Sequence, residues 1–445
     1  MRLSTLFQPP SVNVALRALS TGLRSGERNV ELALLAASVG FAVLAWRALD
    51  AAAFAMPAAS DRILAQFVVV VIAGHVGLRA VAPRAAAAPY AVAMLLAAIG
   101  LAFVTRLAPS VATNQANWIT LGVALMVATA WAARRYRVLR RYRYTAALLA
   151  VLLLFGTGVF GTTVNGARLW VTVAGQTVQT TELIKLLLVV FLAGYLADEA
   201  SVLAAPRIRF GGRSYSALPY LIPLAVTWVV ALVALALLKD LGTIALLILL
   251  AVAALYVATG RARFVVAGMA LLALTGAFGY MAFDHAHTRI DTWLDPYSDA
   301  GGAGYQSLQA TYAIEAGGVT GEGLGLGQPD AIPAAPTDYV FSAVAEELGL
   351  AGALGVVLLY VVLLFAGLQV AVRAVDDHGR LLAAIIALLI AIQAAVIIAG
   401  NLRIIPTTGI TLPFVSYGGS SLVVNFVLVG LLLGISDARE WRPAR

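Results

Sequence analysis

The chain has 445 residues, of which 61% are hydrophobic and 12% are charged, well below the ~25% charged content of soluble domains. This composition excludes an ordinary soluble protein and indicates a membrane protein. The net charge of +8 is spread over short loops, which suits orientation in a bilayer and argues against nucleic-acid binding, and the absence of cysteine excludes disulfides and thiol chemistry.

Apolar runs of about 20 residues, the length that crosses a bilayer as a helix, recur along the chain. Residues 1–30 lack the apolar core of a signal peptide and are predicted to be a cytoplasmic tail, followed by a transmembrane domain at 31–436 and a second tail at 437–445. The fold class is therefore all-α and polytopic, with about twelve spans. The predicted spans lie near 31–48, 62–83, 86–105, 118–134, 144–163, 182–198, 216–237, 240–259, 263–283, 339–371, 380–400 and 416–436.

Arginine is concentrated in alternate loops. The richest is the loop from Arg134 to Arg143, and the loops at 207–213 and 261–263 follow the same alternation, as do both tails. By the positive-inside rule these segments are cytoplasmic, so both termini face inward and the intervening loops face outward.

The longest interruption of the apolar pattern is residues 285–337, between the ninth and tenth predicted spans. We predict it to be an extracytoplasmic loop without strong periodicity, and loops of this length are usually functional or disordered. A carboxylate held near a hydroxyl can act as a general base, although most loop acids are simply solvated. His285 and His287 lack a third ligand, so no dedicated metal site is predicted. The acids in and beside the loop are Asp291, Asp295, Asp299, Glu315, Glu322, Asp330 and Asp338.

Several ionisable residues lie at the ends of predicted spans, where charge is costly and is functional by default. Glu182 and Lys185 are three residues apart, so they can pair on one helix face, as either a structural or a functional pair. Asp240 is placed to cap the helix that follows it. Glu346 and Glu347 are adjacent within apolar sequence, so we expect at least one of them to point into a polar cavity.

Arg168 and Trp170 precede an alternating segment at 171–178. An arginine here suits an anion near the lipid interface, whereas the tryptophan also fits an ordinary interfacial anchor.

Prolines and glycines at 406–421 disfavour a regular helix, and broken backbone at membrane depth must pack against protein or a watery cavity. We therefore predict a re-entrant or bent segment lining an outer cavity. Ser416, Ser420 and Ser421 have no neighbouring His or Lys in sequence, which favours capping and packing over a serine nucleophile.

Four blocks, taken in order, resemble the FtsW/RodA/SpoVE family, the SEDS peptidoglycan glycosyltransferases. The family core is usually described with ten spans, so twelve imply two additional N-terminal helices. The blocks are Asn165–Trp170 with Glu182–Lys185, Asp240–Thr243, Asp295–Gly349 and Pro406–Ser421.

The resemblance implies polymerisation of lipid II at the outer face of the bacterial cytoplasmic membrane, for elongation or division. A carboxylate would take the proton of the attacking hydroxyl; the resemblance assigns this role to Asp299, with Asp295 as the alternative. Basic residues would stabilise the departing diphosphate. The substrate-binding residues implied are Arg168, Trp170, Glu182, Lys185, Lys239, Asp338, Glu346, Glu347, Arg403, Ser416 and Ser420.

The resemblance also implies partners: lipid II, membrane lipid and a class B penicillin-binding protein. It implies no defined cofactor and is compatible with a divalent cation. Two other functions remain open, a lipid II flippase or transporter and a non-catalytic scaffold of the division or elongation machinery. The acids cluster near the outer face, which favours surface chemistry over a path through the bundle.

Overall fold

The computed structural model describes residues 26–164, 167–173, 175–205, 207–210, 213–216 and 218–438. The helices in these ranges are α1 (Gly26–Ala51), α2 (Ser60–Val81), α3 (Ala88–Leu107), α4 (Ala112–Ala132), α5 (Arg137–Arg141), α6 (Arg143–Phe160), α7 (Thr180–Ala204), α8 (Ile222–Leu237), α9 (Leu241–Thr259), α10 (Ala262–Ala282), α11 (Asp284–Leu294), α12 (Tyr305–Gly317), α13 (Val340–Val372), α14 (Asp377–Asn401) and α15 (Gly419–Asp437). The strands are β1 (Thr162–Val164), β2 (Ala167–Val173), β3 (Gln176–Gln179), β4 (Arg207–Phe210) and β5 (Arg213–Ser216).

The predicted fold class is confirmed, because the described ranges contain twelve helices long and apolar enough to cross a membrane. All the helices except α5, α11 and α12 belong to this set. The helix α1 begins at Gly26, within the segment predicted as a tail at 1–30, and residues 1–25 lie outside the described ranges. Residues 439–445 of the second predicted tail also lie outside them.

The spans form a bundle whose centre includes α3, α14 and α15, the three most deeply buried spans. The last span, α15, packs against α4, and α13 packs against α14. Peripheral spans keep apolar residues on their outer surfaces, such as Leu44 on α1 and Met281 on α10. An apolar outer surface is what contact with lipid requires.

Successive spans alternate in direction, so their ends form two faces. We call the end that carries residues 283–339 the loop face. The opposite end carries the arginine-rich turn from Arg134 to Arg143 and the hairpin of β4 and β5, and we call it the basic face.

The segment at 285–337 was predicted as a loop, but it contains α11 and α12. Apolar run length could not reveal α11, because this amphipathic helix lies along the loop face and does not cross the bundle. It is supported by a contact between His287 Nδ1 and Asp291 Oδ2 at 2.9 Å, one helical turn apart.

In the described part of the chain, two small antiparallel sheets accompany the helices. Residues 171–173 and 176–178 of the alternating segment belong to the first, in which β2 is central and pairs with both β1 and β3. Within α13 the backbone breaks at Gly349, with φ 64° and ψ −168°.

Candidate active site

A buried polar network links α7, α14 and the irregular segment before α15. Lys185 Nζ lies 2.8 Å from Glu182 Oε2, so the predicted pair forms within the first two turns of α7. The same ammonium donates to Gln393 Oε1 at 2.9 Å, and the Gln393 amide donates to the carbonyl of Thr411 at 2.8 Å. Both charges are therefore compensated, and they hold the 402–418 segment against the bundle.

Asp240 caps α9 as predicted, since its Oδ1 accepts from the backbone N of Thr243 at 3.0 Å. Its Oδ2 is buried without a hydrogen-bond partner among the described residues. Gly242, in the first turn of α9, allows the chain to approach closely: a Cβ there would lie 2.3 Å from the carbonyl oxygen of Thr408. The cap and the close approach bring the start of α9 beside the 402–418 segment.

The bent segment predicted at 406–421 packs into protein on the loop face. Leu412, Phe414 and Val415 are buried in the hydrophobic core. A Cβ at Gly100 of α3 would lie 2.5 Å from the carbonyl oxygen of Val415, so this segment lies directly on α3. From Leu412 to Ser416 the irregular backbone is therefore buried in protein, as the membrane setting requires.

The serines of this region have local hydrogen-bonding partners. Ser416 Oγ accepts from the backbone N of Leu412 and donates to the carbonyl of Thr337. Ser420 Oγ accepts from the backbone N of Gln179 at 3.0 Å, joining β3 to the start of α15. These contacts join neighbouring segments, and neither serine forms a helix cap, because Gly418 is the N-cap of α15 and has no side-chain cap hydrogen bond.

Three basic residues lie around the end of α8, and the guanidinium of one of them, Arg168, donates to the carbonyl of Gly158 at 2.9 Å. The backbone N of Arg168 lies 3.4 Å from the carbonyl oxygen of Leu238, next to the exposed Lys239. Burial lowers the pKa of His285, and the charges of Arg289 and Lys239 lower it further. Arg289 donates to the carbonyl of Thr408 at 3.2 Å. We call Arg168, Lys239 and Arg289 the basic group; it offers cationic side chains on the loop face to an anionic ligand.

Asp338 lies beside this group, just before α13. Burial raises the pKa of this half-buried carboxyl, and a hydrogen bond from Thr337 and the charge of Arg289 offset part of the rise. Its carbonyl accepts from Asn401 Nδ2 at 2.8 Å, and Asn401 Oδ1 accepts from the backbone N of Ser342 at 3.2 Å. Asn401 thus fixes the start of α13 against the end of α14.

Asp299 is exposed at the end of a short 3-10 turn, Pro296–Asp299, that precedes α12. Its Oδ2 accepts from the backbone N of Ala303 at 2.8 Å, which orients the carboxylate. Asp295 begins the turn and its Oδ1 accepts from the backbone N of Tyr297 at 3.1 Å. Asp295 therefore caps the turn that presents Asp299.

Two other predicted residues lie apart from the buried network. Arg403 has φ 56° and donates to the carbonyl of Trp293, whose indole N donates back to the carbonyl of Arg403 at 2.9 Å. This reciprocal pair ties the end of α11 to the turn after α14. Trp170 lies in the sheet, paired with Gln179 of β3, and is half-buried.

Glu346 and Glu347 belong to a separate cluster. Arg106, near the end of α3, lies 3.0 Å from Glu347 Oε1 and 2.8 Å from Asp330 Oδ2. Glu346 Oε1 accepts from the backbone N of Gln328 at 2.6 Å. One oxygen of each glutamate is buried without a hydrogen-bond partner among the described residues. Through Gln328 and Arg106, these glutamates hold the chain at 327–330 against α13.

Sequence reasoning missed Arg106, Arg289 and Gln393. Arg106 and Gln393 are single polar residues near or within apolar spans, and the cost of burying them was the available signal. Arg289 carried no such signal, because α11 was taken for a loop. Within the described ranges, no group of three or more His, Asp or Glu residues is placed to hold a metal ion.

The family model for the cell cycle proteins FtsW, RodA and SpoVE matches residues 84–440. The chain belongs to this family. The matched region contains ten of the twelve spans, so α1 and α2 precede it, in agreement with the two additional helices predicted.

Named relatives and solved structures agree with this membership. The peptidoglycan glycosyltransferase RodA of Mycobacterium tuberculosis is 34% identical over 83% of this chain and 82% of its own. A probable peptidoglycan glycosyltransferase FtsW of Geobacter sulfurreducens is 36% identical over 69% of this chain and 81% of its own. A chain from a peptidoglycan synthase complex aligns with a TM-score of 0.63 and 26% identity, covering 79% of this chain and 97% of that chain. The structure of the Thermus thermophilus rod shape determining protein RodA aligns with a TM-score of 0.57 and 25% identity. The alignment covers 79% of this chain and 96% of that chain.

Proposed function

We propose that the protein polymerises lipid II into glycan strands at the outer face of the cytoplasmic membrane. Its class, peptidoglycan glycosyltransferase, follows from its family and from relatives that share a third of its residues over most of their length. It is a multi-pass protein of the bacterial inner membrane. The observation that carries the proposal is the exposed carboxylate of Asp299 on the same face as the basic group.

In the proposed reaction the 4-hydroxyl of an incoming lipid II attacks the anomeric carbon of the growing glycan. The new bond joins that oxygen to the anomeric carbon, and the bond from this carbon to the lipid diphosphate breaks. Asp299 takes the hydroxyl proton, since the backbone N of Ala303 holds its Oδ2 and leaves Oδ1 for the substrate. The basic group stabilises the negative charge that develops on the diphosphate.

The loop face is extracytoplasmic in this proposal, and both termini are cytoplasmic. The support is the concentration of arginine at the basic face, which the positive-inside rule assigns to the cytoplasm. A class B penicillin-binding protein is the proposed partner for crosslinking. The support is that one solved neighbour belongs to a peptidoglycan synthase complex that coordinates polymerization and crosslinking.

The test supplies lipid II to the purified protein with its penicillin-binding partner and follows glycan polymer on gels. Asp299→Asn keeps the shape of the side chain and removes the base, so polymer formation should fall by at least about 100-fold. Glu315→Gln, which alters another exposed acid of the same segment, is the matched control and should retain activity. A wild-type rate from Asp299→Asn would exclude Asp299 as the base.

The same preparation distinguishes the other candidate functions. A flippase would move labelled lipid II across vesicles without forming polymer. A scaffold would give neither polymer nor transport while still binding its partner. Either result from the wild-type protein would contradict the glycosyltransferase proposal.

A further inference from the structure

We propose that the N-terminal hairpin, formed by α1, α2 and the turn at 52–59, is a positioning element of the active site. It holds the glycine-rich segment, defined here as residues 317–330, through Phe54 and Arg106. This inference rests on the proposed function for its catalytic readout, and on the geometry alone for its structural readout.

The hairpin contacts the loop face although it precedes the region that matches the family. The guanidinium carbon of Arg106 lies over the ring of Phe54, 5.1 Å from its centroid. A Cβ at Gly325 would lie 3.0 Å from the Cβ of Ala52 and 3.2 Å from Cδ2 of Leu49. The end of α1 therefore supports the glycine-rich segment both directly and through Arg106.

The end of α1 is shaped to present Phe54. The backbone N of Phe54 donates to the carbonyl of Leu49 at 3.0 Å, and the backbone N of Ala53 donates to the carbonyl of Asp50 at 3.0 Å. This pair of bonds is the Schellman ending of a helix, in which the residue at Ala53 is left-handed and usually glycine. Ala53 adopts φ 55°, which is a strained backbone conformation for a residue that has a Cβ. Such strain persists only where the surrounding structure imposes it.

Arg106 contacts both the glycine-rich segment and α13, the helix to which the segment is attached. It donates to the carbonyl of Gly327 at 3.0 Å and to Asp330 within the segment, and to Glu347 in α13. The face of an aromatic ring attracts a guanidinium group. Phe54 therefore stabilises the one orientation of Arg106 that reaches all three acceptors.

The segment is continuous with the helix that follows the proposed catalytic acid. It begins at the last residue of α12, Gly317, where a Cβ would lie 2.0 Å from the carbonyl oxygen of Ala345. The backbone N of Gly321 donates to the carbonyl of Gly317 at 2.8 Å. A displaced segment would therefore shift α12, whose first turn follows the turn that carries Asp299.

The test compares Phe54→Leu, Phe54→Tyr and a control, Leu44→Ala, which removes a highly exposed apolar side chain from α1. Phe54→Leu should lower kcat for lipid II polymerisation about tenfold with little change in KM, because it disturbs alignment and not substrate contacts. Phe54→Tyr keeps an aromatic face and should restore kcat to within about twofold of wild type. Leu44→Ala should behave as wild type.

Hydrogen exchange supplies a readout that does not depend on the reaction. The backbone N of Glu322 donates to the carbonyl of Glu346 at 3.0 Å, and the backbone N of Gly323 donates to that of Glu347 at 2.9 Å. In Phe54→Leu both amides should exchange about tenfold faster, while amides of α14 remain protected as a folding control. Wild-type exchange in this variant would overturn the proposal. If Phe54→Leu exchanges faster but the wild-type protein forms no polymer, the hairpin positions the segment and the proposed function is rejected.

Discussion

Lys185 is nearly fully buried, and its ammonium group is satisfied by Glu182 at 2.8 Å and Gln393 at 2.9 Å. Inside a bundle the pair is balanced, and removal of one charge leaves the other buried and uncompensated. Lys239 differs because its side chain is exposed, so its charge carries no comparable cost of burial. The two lysines are therefore expected to contribute in different ways, one to the fold and one to binding.

We expect Lys185→Met to lower the free energy of unfolding by about 3–5 kcal/mol, because it strands the carboxylate of Glu182. The double variant Glu182→Gln with Lys185→Met should recover part of that loss. Thermal unfolding in detergent measures both effects. Lys239→Met is the matched control and should reduce polymer formation without a comparable loss of stability. If the double variant is no more stable than Lys185→Met, the loss of stability does not come from the unpaired carboxylate of Glu182.

Asp338 gives a pH dependence whose sign follows from its raised pKa. A carboxyl with a folded-state pKa above its unfolded value contributes stability at low pH and loses it as pH rises through the folded pKa. Asp338→Asn removes that loss, so its stability relative to wild type should increase as pH rises above about 4, the ordinary pKa of an aspartate. The check is the difference in melting temperature across that range; a difference that is flat or falls with pH would refute it.

Among the helices, α13 depends on a single break in its backbone. Gly349 has φ 64°, and a Cβ there would lie 2.3 Å from the backbone N of Gly321. The break lets the carbonyl of Gly318 accept from the backbone N of Leu350 at 2.9 Å. It thereby joins the glycine-rich segment to the start of a membrane span.

Gly349→Ala should therefore destabilise the protein by at least about 1–3 kcal/mol, from backbone strain together with the close contact. Gly355→Ala, six residues further along the same helix, meets open space and should be neutral or stabilising by up to about 1 kcal/mol. Comparison of their thermal unfolding midpoints measures the difference. Equal midpoints would show that the break does not require glycine.

The spans could be predicted from sequence because each one is an apolar run of sufficient length, and this property is local. α11 could not, since it is a short polar helix supported by His287, Asp291 and the contact of Trp293 with the turn after α14. In the site, the Glu182–Lys185 pair and the Asp240 cap were predictable because their partners are three residues away. The contact of Arg106 with Glu347 spans 241 residues, and no local pattern indicates it.

At the scale of the whole molecule, arginine is concentrated at one of the two faces. The turn at the basic face carries arginines from Arg134 to Arg143, and several of them pair with acids from other helices, including Asp198 and Asp376. The loop face instead carries the exposed acidic turn at 295–299. Such an asymmetry defines one orientation in the bilayer.

The absence of native cysteine makes this orientation directly measurable. Ser298→Cys, on the exposed turn of the loop face, should react with a membrane-impermeant maleimide added outside intact cells. Arg135→Cys, exposed on the basic face, should react only after the membrane is permeabilised. The reverse labelling pattern would invert the proposed topology and exclude an outward-facing active site.

The packing of α15 also has a consequence for biosynthesis. This final span fills the groove along α4, and its Ser420 accepts from the backbone N of Gln179. At its other end, Ser436 and Asp437 accept from the backbone N of Ala86 and Arg84. Residues of α15 are thus joined to residues at least 241 positions earlier in the chain, so these contacts form only after α15 has been synthesised and inserted. A chain that has not yet inserted α15 therefore lacks the contact that holds Gln179 at the start of α7.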